Sequence, residues 1–162
     1  MQLDIPFYAN TDNTHCVQAV MKMVLKYFYP EKDFSFEELD KASNKQPGKG
    51  TWPYAYIMWM AEQGLEVMTF GIFDTKHFVE NPEGYMLEFY GEEKTKNNIE
   101  NSDIPQVVGD AKKYLAGAGV TENHRIPTID DIKELLQTGY IPGVGVNART
   151  LNNKSGYKGH WF

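Results

Sequence analysis

The chain predicts an α+β domain in which helices pack on a mostly antiparallel sheet. Three observations predict it. Apolar residues at helical spacing crowd the first half. Alternating or glycine-bearing runs that suit strands come later and gather toward the end. The 162 residues are enough for one domain with a real core and short for two. Composition agrees, since 41% hydrophobic against 23% charged residues describes a globular chain rather than a disordered or fibrous one. A single domain over 1–162 is expected, with no internal repeat.

Residues 3–12 read as extended chain and turn, because Pro6 disfavours helix before it and Asn10, Asp12 and Asn13 suit turns. The first helix follows. Its apolar positions Cys16, Ala19, Val20, Met23, Val24, Tyr27 and Phe28 recur at i, i+3, i+4 and i+7, with Gln18, Lys22 and Lys26 on another face. Asn13 or Thr14 is the expected cap and Pro30 the expected stop. Ser35 and Glu38 form a capping box that opens a short helix to about Ser43. After the loop NKQPGKG, Thr51 is expected to cap a third helix through about Gln63, stopped by Gly64 and apolar nearly all round, hence buried.

LEVMTFG alternates well enough for a strand. Residues 74–118 read as a mainly helical insertion with a mobile middle, the charged run GEEKTKNNIEN being a solvated loop. HRI suggests a short strand, and TIDDIKELLQTG a helix capped by Thr128 and ended by Gly139. IPGVGVN is a glycine-bearing strand, ARTLNNKSG a turn or loop, and YKGHWF the start of another strand. A strand that begins near Tyr157 has barely begun at Phe162, so a fragment, or a sheet finished by another segment, is expected.

A net charge of −6 with no basic stripe argues against a nucleic-acid partner. No run approaches the roughly 20 apolar residues of a membrane span. The start MQLDIPFYAN lacks the features of a signal peptide, so a cytoplasmic protein is expected. One cysteine excludes an internal disulfide and a cysteine-only zinc site.

That thiol, Cys16, falls in the first turn of the first helix. Free N–H groups and the positive end of the helix dipole favour a thiolate there and suit an oxyanion. The alternative is a small apolar residue at the top of the core stripe, since free cysteines are commonly buried. His160 bears on the choice. Cysteine first and histidine about 130–150 residues later is the order of papain-like enzymes, and His160 follows Cys16 within that interval, behind Gly159 at the start of a strand.

With both ends considered, the sequence resembles the bacteriocin-processing type of papain-like cysteine peptidase, in its broad peptidase-like branch. The segment IPFYANTDNTHCVQAVMKMVL, from Ile5 to Leu25, carries the family's N-terminal pattern, and Gly159, His160, Trp161 and Phe162 match its Gly-His before an apolar strand. Val17 stands where the family usually has glycine, and Asn10 where it has its oxyanion-hole glutamine. The resemblance implies a papain-like fold, with Cys16 as nucleophile, His160 as base and later acid, and Asn10 as oxyanion donor. It also implies a peptide or protein substrate, a double-glycine leader being the best-known type, and a third, orienting Asp or Asn beyond Phe162. Hydrolysis, transamidation or deamidation by the same Cys–His pair, and peptide binding by a catalytically incomplete member remain open.

No cofactor or metal is expected, because no ligand spacing selects one, Cys16 with His160 included. His15, His77 and His124 are expected in structural or surface roles. Trp52 and Trp59 are expected in the core, and Trp161 on the opposite strand face from His160.

Overall fold

In the computed structural model, residues 3–10, 12–156 and 159–161 are described. The chain is mixed α and β. Its elements run α1 (Cys16–Phe28), α2 (Phe36–Ala42), α3 (Pro53–Glu62), β1 (Val67–Phe70), α4 (Thr75–Glu80), α5 (Pro82–Tyr90) and α6 (Glu92–Glu100). They continue with α7 (Ile104–Ala116), β2 (Val120–Asn123), α8 (Ile129–Gln137), β3 (Gly145–Asn147), α9 (Ala148–Leu151) and β4 (Gly159–Trp161). Two compact units result, one from residues 1–39 with 128–162, the other from 40–127.

The first unit joins the two ends of the chain around α1. Val17, Ala19, Met21, Val24 and Leu25 of that helix are buried, a face turned from the expected stripe. Of Cys16, Ala19, Val20, Met23, Val24, Tyr27 and Phe28 only Ala19 and Val24 are buried, and Phe28 is exposed. The expected polar face is itself largely covered. Gln18, expected on the polar face, is fully buried. Lys22 is nearly buried too, its ammonium held by the Asp33 carboxylate at 2.8 Å and the Phe34 carbonyl, and lying 4.9 Å from the Tyr8 ring centre. Its alkyl stem covers apolar surface while its head ties α1 to the chain before and after it. The Ser35–Glu38 capping box is formed, with Glu38 accepting from the Ser35 N–H at 2.7 Å.

β3 and β4 pair antiparallel, with Gly145 opposite Trp161 and Val146 opposite His160. A Cβ at Gly145 would stand 3.4 Å from the Trp161 ring, so glycine there lets the indole lie against the neighbouring strand. Since successive side chains alternate, His160 and Val146 share the other face. β4 packs on α1. The expected loop ARTLNNKSG contains the one-turn helix α9, with the side-chain Oδ1 of Asn147 accepting from the Arg149 N–H at 3.1 Å. Asn153 then reverses the chain at φ 53°. α8 opens on the expected Thr128, paired reciprocally with Asp131. Tyr157, Lys158 and Phe162, part of the expected last strand, and Thr11 of the opening segment lie outside the described residues.

In the second unit β1 and β2 run parallel, Val67 opposite Val120 through Phe70 opposite Asn123. This corrects the expected mostly antiparallel sheet: among the described residues there are two separate two-stranded sheets, one of each kind. A parallel pair needs a long crossover, and α4 to α7 supply it. The strand expected at HRI lies one step earlier, over Val120–Asn123, because the Arg125 N–H turns back to the Asn123 carbonyl at 2.8 Å and ends the ladder.

The expected loop GEEKTKNNIEN is also corrected, since it contains α6. Gly91, at φ 76°, separates α5 from α6. Lys94 sits 3.9 Å from the Tyr90 ring centre, and Lys96 reaches Glu100 one turn on. α3 starts at Pro53 with Trp52 as its cap, not Thr51, because proline suits a first turn whose N–H has no partner. Within α3 Tyr54 and Tyr56 are buried and the other apolar side chains half-buried.

The core here is aromatic: Trp52 stacks on Phe78 at 5.3 Å, and Phe73 meets Tyr85 edge-on at 5.0 Å. Tyr54 lies among them, and burial pushes its hydroxyl up to about 12.

Leu25 and Phe78 are both wholly buried. Leu25→Ala is expected to cost about 2–5 kcal/mol and Phe78→Ala about 3–5 kcal/mol. Exposed Leu151, 62% accessible, should change stability by less than about 0.5 kcal/mol as Ala. Urea titration followed by circular dichroism measures all three.

Candidate active site

The turn before α1 is tied by side chains reaching forward to the main chain. A helix leaves its first N–H groups without intrahelical partners, and the first bond inside this one runs from the Ala19 N–H to the His15 carbonyl at 2.9 Å. Ahead of it, Asn10 Oδ1 accepts from the His15 N–H at 3.0 Å, and Asp12 Oδ1 accepts from the Thr14 N–H at 2.9 Å. These bonds correct the expected cap. Asn13 is at φ 61°, in the left-handed region that short polar side chains tolerate, and it makes the bend instead.

Cys16 is the first residue of α1 and half-buried. Val17, at the position that is glycine in the resembled family, is 4% exposed, so its side chain belongs to the core. Asn10 spends its carbonyl oxygen on the His15 N–H, which leaves the amide's N–H₂ as the function it can offer elsewhere. His160 is the middle residue of β4, half-buried, on a strand that packs against α1. Cys16, His160 and Asn10 therefore belong to one compact unit although they come from opposite ends of the chain.

His15 is not a plain surface residue. Its Nδ1 lies 2.6 Å from Asp12 Oδ2, its side chain is 24% exposed, and its ring meets Phe36 edge-on at 5.7 Å. The Thr14 N–H, first, and then the His15 ring hold the Asp12 carboxyl down at about 2. Asp12 and this pairing escape sequence reasoning. The spacing Asp-x-x-His in a polar turn was the available signal, since Asp readily bonds main-chain N–H groups just ahead of it.

The other histidines lie in the second unit. His77, with a 69% exposed side chain, stands 3.7 Å from Asp74, and His124 is exposed. That unit also has a concavity lined by Asn44, Gln46, Trp52, Gln106 and Asp110, among others. Its polar groups bond one another: Asn44 donates to both oxygens of Asp110 at 2.9 Å, and Gln46 to Gln106 at 2.6 Å. Among the described residues no group of three His, Cys, Asp or Glu side chains could hold a metal ion, and no helix is long and apolar enough to cross a membrane.

Comparison of the chain with family models, curated proteins and solved structures gave no match.

Because the Asp12 carboxyl is depressed, its interactions stabilise the fold above the ordinary carboxylate range near 3.9, and that contribution is lost as the pH falls toward about 2. Carbon-detected NMR titration should find Asp12 deprotonating near pH 2, and His15→Gln should move its midpoint upward.

Proposed function

We propose that this chain is a papain-like cysteine hydrolase that cleaves a peptide or related amide bond through an acyl-enzyme on Cys16. One observation carries the reading. The helix that begins with the chain's only thiol packs against the three-residue strand whose middle residue is His160, within a unit assembled from the two chain ends. The N-terminal pattern from Ile5 to Leu25 supports it from the sequence side.

In this reading the first turn of α1 and the His160 imidazole together favour the Cys16 thiolate. The sulfur attacks the amide carbonyl, and the oxygen that becomes negative is met by the Asn10 N–H₂ and by main-chain N–H groups at the start of α1. His160, protonated in the resting pair, gives its proton to the departing amine as the C–N bond breaks, leaving a thioester on Cys16. Water then attacks the thioester, its proton passing to His160 and its hydroxyl to the acyl carbon. Carboxylic acid leaves and the thiolate–imidazolium pair returns. Every proton moves between Cys16, His160, substrate and water, so the cycle uses no cofactor. A reducing compartment such as the cytoplasm keeps such a thiol free.

Iodoacetamide alkylation tests the pair. Cys16 should be alkylated at pH 6 at least about tenfold faster in the wild type than in His160→Ala or His160→Gln, with rates converging near pH 9, where an ordinary thiol is largely ionised. Equal rates at pH 6 in folded proteins would contradict the proposal.

A further inference from the structure

We propose that Asp12 and His15 are positioning residues for the Cys16 site, a hydrogen-bonded carboxylate–imidazole pair that clamps the turn from which both the thiol and the Asn10 amide are presented. The inference rests on Cys16 being a nucleophile and deepens that reading.

The two carboxylate oxygens of Asp12 have different partners. Asp12 Oδ1 holds the Thr14 N–H at 2.9 Å, and Asp12 Oδ2 holds His15 Nδ1 at 2.6 Å. The Thr14 hydroxyl lies 3.2 Å from the same ring nitrogen. The His15 N–H is bonded to Asn10 Oδ1 at 3.0 Å, so the residue whose ring is clamped by Asp12 is the one whose main chain orients Asn10. The edge contact of the ring with Phe36 at 5.7 Å restrains it from a second element, and that contact is apolar.

His15 is covalently followed by Cys16. A rotation of His15 therefore moves three things together: the sulfur, the first N–H groups of α1 and the donor side of Asn10. The 2.6 Å separation of the Asp12 oxygen from the imidazole nitrogen is a short hydrogen bond to a carboxylate, the stronger kind, and at 24% exposure the ring is partly shielded from water. Such a clamp limits the motion that a nucleophile and an oxyanion donor must not have, since small misplacements are costly to reactivity.

The two jobs of Asp12 are separable. Asp12→Asn keeps an oxygen for the Thr14 N–H and loses the charge paired with His15, whereas Asp12→Ala loses both. Asp12→Glu restores the charge on a longer arm. The readout is the ratio of the Cys16 alkylation rate by iodoacetamide at pH 6 to that at pH 9, measured in the full chain with thermal unfolding and far-ultraviolet circular dichroism as controls. A purely structural role would alter the controls and would not move the ratio in a variant that stays folded.

Asp12→Asn and His15→Gln are each expected to lower that ratio about fivefold or more in protein that stays folded at the assay temperature, whatever modest fall in the unfolding midpoint accompanies the lost contacts. The double variant should be no worse than either single one, because the two residues act as one unit, and Asp12→Glu should recover part of the loss.

If His160→Ala lowers the ratio while Asp12→Asn and His15→Gln leave it unchanged, the positioning proposal is overturned and the Cys–His reading stands. If the Asp12 and His15 variants lower it and His160→Ala does not, the clamp stands and His160 is not the partner of the thiol. If none of the three has an effect, both fail. Losses that simply multiply in the double variant would also overturn the clamp.

Discussion

Helix α1 is the constraint on which the first unit depends. It buries five apolar side chains and Gln18. At about 1.5–3 kcal/mol for each large aliphatic side chain removed from water, this face outweighs any single polar contact in the unit. Everything proposed for the chemistry borrows its position from this helix. Lys22 ties the helix to Asp33 and to the Tyr8 ring, and so to the extended chain that leads to Asn10. β4 brings His160 to it from the other end of the sequence. A hairpin of three-residue strands has little stability alone, so packing on α1 is what gives β3 and β4 a fixed place.

The turn ahead of α1 does two jobs with few residues. Asn10 and Asp12 satisfy main-chain N–H groups at the helix approach, which is ordinary capping chemistry. The same bonds fix the amide of Asn10 by its oxygen end and bring a carboxylate against His15. Asn is one methylene shorter than the glutamine of the resembled family, and its bond to the main chain sets how that shorter reach is directed. Fold and proposed function therefore pull on the same atoms, and a substitution in the turn is expected to touch both.

Periodicity located α1 but not its buried face, because apolar residues run round most of the helix and do not single out one stripe. Explicit caps located α8 and α2, where Thr128–Asp131 and Ser35–Glu38 close the reciprocal bonds that their spacing suggests. Three other features were not readable, each for a physical reason. GEEKTKNNIEN has almost no apolar side chain to display a period, yet it forms α6, supported by Lys94 on Tyr90 and by one exposed ion pair. The parallel partnership of β1 with β2 depends on strands separated by four helices, and nothing local in VMTF or VTEN records it. Gln18 occupies an apolar environment that its side chain does not announce. At the candidate site, Cys16 at the helix start and His160 on a short strand were both readable. The Asp12–His15 pair was not, because a bend at Asn13 with positive φ is what folds the carboxylate back to the ring.

The central claim is that the fold sets the His160 imidazole against the Cys16 thiol, and a nuclear Overhauser experiment on the intact chain tests it most directly. The account predicts cross-peaks joining the ring protons of His160 to the β-protons of Cys16. Assigned His160 ring protons whose cross-peaks run only to other residues, with none to the start of α1, would contradict it.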